Sequence, residues 1–237
     1  MNEKSVLVFD IDGTLTDSVT QHQRAFEEAL NSFPFQRLDT NWANYRHHTD
    51  TGIFAEAWER EDLAGAPDFE ELGKRYAKAY DAAVSQHPVT EIKGARRFIG
   101  EIDERWIVVF ATGSLAYGAR HKLAVIDVVT ESHVLVTASE FQTREELVEH
   151  AVLRGCARHG FTKPRDVVSI GDGIWDLMTA RNLGYEFVGI GCGAKADQLR
   201  RLGAEVHADF DALSVGKAGF RFNKFSCGRG LTGTSTS

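Results

Sequence analysis

The sequence predicts an α/β protein: an open sheet of parallel strands carrying an inserted helical unit. Five short runs, residues 5–9, 106–110, 134–137, 167–170 and 187–190, are apolar at nearly every position rather than alternating. That is the pattern of strands buried on both faces of a parallel sheet. From the second run onward helical patterns alternate with the strands, which implies right-handed crossovers. Nearly a hundred residues separate the first run from the second, far more than one crossover helix needs.

Each element has a local reason. Segments 19–31, 53–64 and 68–86 of the long interval read as helices, because the interval is rich in Ala, Glu and aromatics and poor in β-branched runs. They give an inserted helical cap over 17–91, with hinges at 14–18 and 87–94, the second marked by Pro88 and Gly94. The sheet core then comprises 1–16 and 92–215. Over 145–159, Leu147, Val148, Ala151, Val152 and Cys156 fall on one helical stripe. Thr143 and Glu146 have capping-box spacing at its start. Residues 216–237 are glycine-rich and lack any acidic residue, so a disordered tail is expected there.

Composition narrows the function classes. Hydrophobic residues make up 43% and charged residues 26%, enough to bury a sizeable core. The net charge of -7, with no long basic run before the tail, argues against duplex nucleic acid as a partner. Cys156, Cys192 and Cys227 form no metal-ligand spacing, and so sparse a set fits a reducing compartment. The opening Met-Asn-Glu-Lys leads straight into a strand and does not resemble a signal peptide. No apolar stretch approaches the ~18 residues of a membrane span. A cytoplasmic protein is expected; oligomeric state is not legible.

The chemistry is concentrated at strand ends. Asp10 and Asp12 close the first run, and Gly13 turns the chain after them. Residues two apart on a strand share a side, and ligands of open α/β sheets bind at the carboxyl ends of strands. Two such carboxylates repel, and a hard divalent cation with oxygen ligands offsets the charge. After the second run, Thr112-Gly113-Ser114 supplies hydroxyls and backbone N–H groups at a helix start, a ready anion site; Ser114 also suits an N-cap. Asp172 sits at the tip of the fourth run, and Asp176 four residues on in the first turn of a helix, where the dipole favours acids. Arg144 lies in the first turn of the capped helix, where a cation is disfavoured, so an anionic neighbour is expected there.

Asp10-Ile11-Asp12-Gly13-Thr14 resembles the first motif of the haloacid dehalogenase superfamily, and the resemblance runs over about residues 5–213. It implies a Rossmann-like core with a helical cap of the phosphoglycolate phosphatase and β-phosphoglucomutase branch. It implies Mg²⁺ held by Asp10, Asp172 and the main-chain carbonyl of Asp12. Asp10 would attack phosphorus and become an aspartyl phosphate. Asp12 would protonate the leaving oxygen, which requires its carboxyl to be raised well above about 3.9. Thr112 and Gly113 would hold the phosphoryl group, and Asp176 would support the site. The family places a Lys near the start of the helix before the fourth strand; this chain has Arg144 there, with Lys163 the competing candidate. In the cap, His22 matches a histidine that couples closure to the acid/base aspartate in the mutase branch. The polar loop His47-His48-Thr49-Asp50-Thr51-Gly52 falls where a substrate-reading loop is expected, with His48, Thr49 and Asp50 as readers. Zinc at His47, His48 and Asp50 is disfavoured, since adjacent histidines rarely converge on one metal.

These features point to a phosphatase of a small phosphorylated metabolite. A sugar-phosphate mutase is the second reading, and a non-catalytic binding protein on the same fold the third. Asp12 disfavours a dehalogenase. The absence of any Lys between Lys4 and Lys74 disfavours a phosphonoacetaldehyde hydrolase, which needs a Schiff-base lysine in its cap.

Overall fold

The computed structural model of the chain describes residues 4–213. The expected tail, 216–237, and Cys227 lie outside the described residues. In chain order the elements are β1 (Ser5–Phe9), β2 (Thr16–Asp17), α1 (Val19–Asn31), α2 (Asp50–Arg60), α3 (Phe69–Gln86), β3 (Thr90–Glu91), α4 (Ala95–Glu101), β4 (Trp106–Thr112), α5 (Ala116–Val125), β5 (Val134–Thr137), α6 (Arg144–Arg158), β6 (Val167–Gly171), α7 (Ile174–Asn182), β7 (Glu186–Ile190), α8 (Gly193–Arg201) and β8 (Glu205–His207).

Six strands form one parallel sheet in the order β5-β4-β1-β6-β7-β8. All five predicted runs lie in it. β8 was not foreseen, because its three residues are only partly buried and carry no apolar run. β1 is central and buried throughout. Its residues alternate between two cores, as strand geometry requires. Leu7 and Phe9 join Phe98, Phe110, Leu123 and Phe210 on one face. Val6 and Val8 join Val109, Val136, Leu147 and Ala151 on the other. The predicted stripe of α6 is buried in that second layer. Its capping box is formed: Glu146 N donates to Thr143 Oγ1 at 3.2 Å, and Thr143 N donates to Glu146 Oε2 at 3.3 Å.

Register positions the chemistry. Phe9 pairs with Phe110 on one side and with Ile170 on the other. Asp10, Thr112 and Asp172 therefore emerge at one level of the sheet edge, each within two residues of the aligned trio.

The helices α1 to α3, between the ribbon strands β2 and β3, form a helical cap with its own core of Phe26, Phe54, Leu72, Tyr76 and Tyr80. The chain enters and leaves it through an antiparallel ribbon pairing Thr16 with Glu91 and Asp17 with Thr90. The second cap helix departs from expectation: it spans Asp50–Arg60 rather than 53–64. Thr49 supplies its N-cap by accepting from Gly52 N at 3.1 Å, and the chain turns into a left-handed conformation at Asp62, with φ 49°. Only His47 and His48 of the expected polar loop remain outside the helix and its cap.

Candidate active site

Five segments meet above β1. Asp10 N donates to Ile170 O at 2.9 Å, which extends the sheet by one residue and aims the Asp10 carboxylate at the edge. Gly13 then turns back with φ 77°, and a Cβ there would collide with the Asp172 carboxylate. Glycine is required at this position by conformation and by space.

Arg144 is the hub. It is buried, and Nη2 reaches Asp10 Oδ1 at 3.3 Å and also contacts Asp176 Oδ1, while Nη1 donates to His48 O at 3.2 Å. The cation that the helix dipole disfavours is thus held by two carboxylates. Asp176 also accepts from Gly173 N at 3.0 Å, closing the first turn of α7. Lys163, the competing candidate, lies exposed before the amino end of β6, at the edge opposite the site.

Oxygens of Asp10, Asp172 and Asp176 lie within 4.8 Å of one another. Burial, then the Asp176 charge, push the Asp10 carboxyl well above the ordinary range against the pull of Arg144. Asp172 is pushed up to about 6 by burial and by Asp176, although Lys195 Nζ donates to it at 3.2 Å. Three crowded carboxylates served by one guanidinium and one ammonium remain under-compensated. An all-oxygen donor set of this kind fits a hard divalent cation.

Asp12 corrects an expectation. Burial would raise its carboxyl, but Lys122 and His22, with hydrogen bonds from Lys122 and Ser114, hold it well below the usual range. Lys122 Nζ lies 2.7 Å from Oδ1 and 2.8 Å from Oδ2. Ser18 Oγ and Ser114 Oγ each donate at 2.6 Å. Asp12 is a carboxylate here, not the neutral acid that leaving-group protonation calls for. Lys122 has no exposed surface at all. The sequence reading missed it, although a signal was present. It falls on the stripe Leu115, Ala119, Lys122, Ile126, where every other member is an apolar core residue.

The cap residues His22, His48, Thr49 and Asp50 line the same cavity as the aspartates, and they also carry structural bonds that the sequence did not suggest. Thr49 is buried and donates to Gln142 O at 2.5 Å. Asp50 accepts from Leu115 N at 2.8 Å, while its own N donates to Gly113 O at 2.8 Å. Their polar atoms fasten α2 to the core. Asp50 occupies the N-terminus of α5, and Ser114 N is used by Thr112 Oγ1 at 3.2 Å, so part of the anion site expected there is already filled. Ser114 does not cap α5, whose N-cap is Leu115; its hydroxyl serves Asp12. His22 Nε2 meets Asp50 Oδ1 at 3.1 Å, and Nδ1 meets Tyr76 Oη at 2.9 Å and Ser114 Oγ at 3.4 Å. Through Ser114 it is one residue removed from Asp12. His48 packs on Trp175 with ring centroids 5.2 Å apart, and burial, Arg144 and His47 lower its basicity. His47, His48 and Asp50 do not converge on a common point.

Asp10, Asp12, Thr112, Gly113, Arg144 and Asp172 all line one cavity of 430 Å³ between sheet edge and cap. Core, cap and acidic strand-tip site define a capped α/β hydrolase. The chain belongs to the haloacid dehalogenase-like hydrolases, whose family model matches residues 4–184. A hydrolase from Pseudomonas syringae is 26% identical, over 88% of this chain and 94% of that one, with a TM-score of 0.65. CbbY from Rhodobacter sphaeroides, solved in complex with phosphate, shares the fold at 15% identity, over 91% and 97% of the two chains, with a TM-score of 0.59. A predicted phosphatase from Clostridium acetobutylicum does so at 18% identity, over 89% and 96%, with a TM-score of 0.58. None of the curated proteins compared with the chain matches it. Among the described residues no helix is long and apolar enough to cross a membrane.

Proposed function

We propose that the chain is a Mg²⁺-dependent phosphatase of small phosphorylated metabolites, working through an aspartyl phosphate on Asp10. The observation that carries the reading is the convergence of Asp10, Asp172 and Arg144 at the tip of the central strand, facing the cavity under the cap. Asp10 and Asp172 would hold the cation, since Asp176 is committed to Arg144 and Gly173 N. The bound ion would neutralise the phosphate oxygens and keep Asp10 ionised. The phosphate bound to CbbY, a protein of the same fold, accords with this substrate class.

In the first half-reaction an Asp10 oxygen bonds to phosphorus, and the bond from phosphorus to the leaving oxygen breaks. Arg144 orients Asp10 and offsets the developing charge, while Thr112 and Gly113 steady the phosphoryl oxygens. Asp12 delivers the proton to the leaving oxygen. Its resting carboxylate must first take that proton up, which the negative charge of bound phosphate favours. In the second half Asp12 accepts a proton from water as the water oxygen attacks phosphorus. Phosphate leaves and the Asp10 carboxylate is restored. The resting ionisation of Asp12 suits this hydrolytic half. Residues 1–16 and 92–215 carry the chemistry in this reading, and 17–91 close over it.

The test is Asp10→Asn. Phosphate release from p-nitrophenyl phosphate should require Mg²⁺ and disappear in this variant, and the wild-type chain should trap an acid-labile phosphoryl group that the variant does not. Release above a few per cent of wild type by Asp10→Asn would refute the covalent route.

A further inference from the structure

The wall that the cap gives to the cavity has an uneven chemistry. Val19, Gln23 and Glu27 succeed one another at four-residue intervals along α1, and all three line the cavity. Val19 lies against the Gly13 turn, where a Cβ on Gly13 would meet Val19 Cγ2 at 3.2 Å. At 1.5 Å per residue, Gln23 stands about 6 Å and Glu27 about 12 Å beyond that point along the helix. Helical side chains lean toward the N-terminus, so Glu27 leans back toward the aspartates from the far end. Phe26 and Trp42 provide an apolar floor beside it, with ring centroids 5.4 Å apart.

No cap lysine or arginine lines this cavity. The two cations that do, Arg144 and Lys195, belong to the core and are engaged by Asp10, Asp176 and Asp172. Glu27 makes no side-chain hydrogen bond or ion pair among the described residues. Glu27 is exposed, and its carboxylate borders, with no cation partner, the part of the cavity remote from Val19 and the Gly13 turn.

We infer that Glu27 is a specificity-determining residue that selects leaving groups which donate hydrogen bonds and carry no negative charge. This rests on the phosphatase reading above. A leaving group with a carboxylate or a second phosphate would meet Glu27 with no cation to offset it, and like-charge juxtaposition in a half-closed cavity is costly. Hydroxyl or ammonium groups would find an acceptor in Glu27, a second polar partner in Gln23, and aromatic faces for their C–H or cationic surface.

The test measures kcat/KM, with Mg²⁺, for glycerol 3-phosphate and glucose 6-phosphate as neutral polyols, phosphoethanolamine as an ammonium, and phosphoglycolate and fructose 1,6-bisphosphate as anionic leaving groups. In the wild type the best neutral or ammonium substrate should exceed both anionic ones at least tenfold. Which of those two kinds leads identifies the natural source of the hydrogen-bond donor. In Glu27→Arg the ratio of phosphoglycolate to the best neutral or ammonium substrate should rise at least tenfold, with Glu27→Gln intermediate. Phosphoglycolate leading in the wild type, or a ratio unmoved by Glu27→Arg, overturns the inference. If wild-type protein does not hydrolyse even p-nitrophenyl phosphate, the phosphatase reading fails by itself. Calorimetric binding of the same compounds then decides, and equal affinity for anionic and uncharged members in wild type and Glu27→Arg overturns the inference.

Discussion

Arg144 offers the sharpest perturbation, because its removal is felt by three groups at once. Its guanidinium is held by Asp10 at 3.3 Å, by Asp176 and by the carbonyl of His48 at 3.2 Å, with 9% of the side chain exposed. Arg144→Ala leaves three carboxylates within 4.8 Å of one another, with Lys195 their remaining cation. Removing one partner of a buried ion pair costs about 3–5 kcal/mol. The lower end applies, since the freed carboxylates can take up protons. About 3 kcal/mol corresponds to a fall in Tm of roughly 6–12 °C for a domain of this size. Without Arg144 the carboxyls of Asp10 and Asp172 rise further, so the lost stability should be smallest near pH 5 and grow as pH climbs. Turnover should fall about 10²-fold or more, as for other charge-stabilising donors. Arg144→Lys should recover part of each, because one ammonium restores the charge but cannot span all three acceptors. Differential scanning calorimetry at two pH values and a phosphate-release assay read both effects. Normal turnover with an unchanged or raised Tm would refute the reasoning and make Arg144 an unfavourable charge on a helix start.

Other expectations follow from the same geometry. Mg²⁺ should raise Tm more at about pH 7.5 than at about pH 5. Asp172, at about 6 when folded against about 3.9 free, stabilises the metal-free fold at low pH and loses that contribution as pH rises through its folded value, which a bound cation offsets; equal shifts at both pH values would contradict this. Lys122→Met should destabilise the chain by about 3–5 kcal/mol in urea unfolding at neutral pH. Asp12 is depressed in the wild type, so its stabilising share is present above about pH 4 and lost on acidification, and the gap between variant and wild type should narrow in acid. Asp50→Ala should loosen α2 from the core, seen as faster amide exchange at Leu115 and in 50–60; unchanged exchange would show that its bond to Leu115 N contributes little.

The fold was legible because parallel strands buried on both faces leave a continuous apolar run, and β1, β4, β5, β6 and β7 each left one. β8 and the ribbon strands did not, since so short a strand carries no pattern of its own. At the site, residues that announce themselves locally were readable: Asp10 at a strand tip, Asp172 at the parallel position, Arg144 in conflict with its helix dipole. What could not be read was partnership across the sequence. Asp12 and Lys122 lie far apart along the chain, and nothing local to Asp12 says that an ammonium will reverse the direction in which burial moves it. The bonds that Thr49 and Asp50 make to the core were hidden for a related reason. A polar run before a helix that lines a cavity looks the same whether or not it also ties that helix to Gln142 and Leu115. The three-residue error in the start of α2 hid the Thr49 cap, and with it that structural role.

The ribbon of Thr16–Asp17 with Thr90–Glu91 also bears on how the molecule assembles. Its pairing brings the two ends of the insert to neighbouring-strand separation, about 5 Å. From the standpoint of the sheet, β1 and the chain leading to β4 are therefore joined by something close to a tight turn, however many residues lie between. Once the ribbon forms, the entropy of closing that long loop no longer weighs on the β1–β4 pairing, and further residues inside the insert would add only logarithmically to the cost of forming it. The register that levels Asp10, Thr112 and Asp172 is set by the pairing of β1 with β4 and β6 and not by the length of the helices beyond the ribbon. Added length inside the insert therefore costs little, while the short segment His48 to Asp50 stays tied to the phosphorus-handling side through Arg144, Gln142 and Leu115.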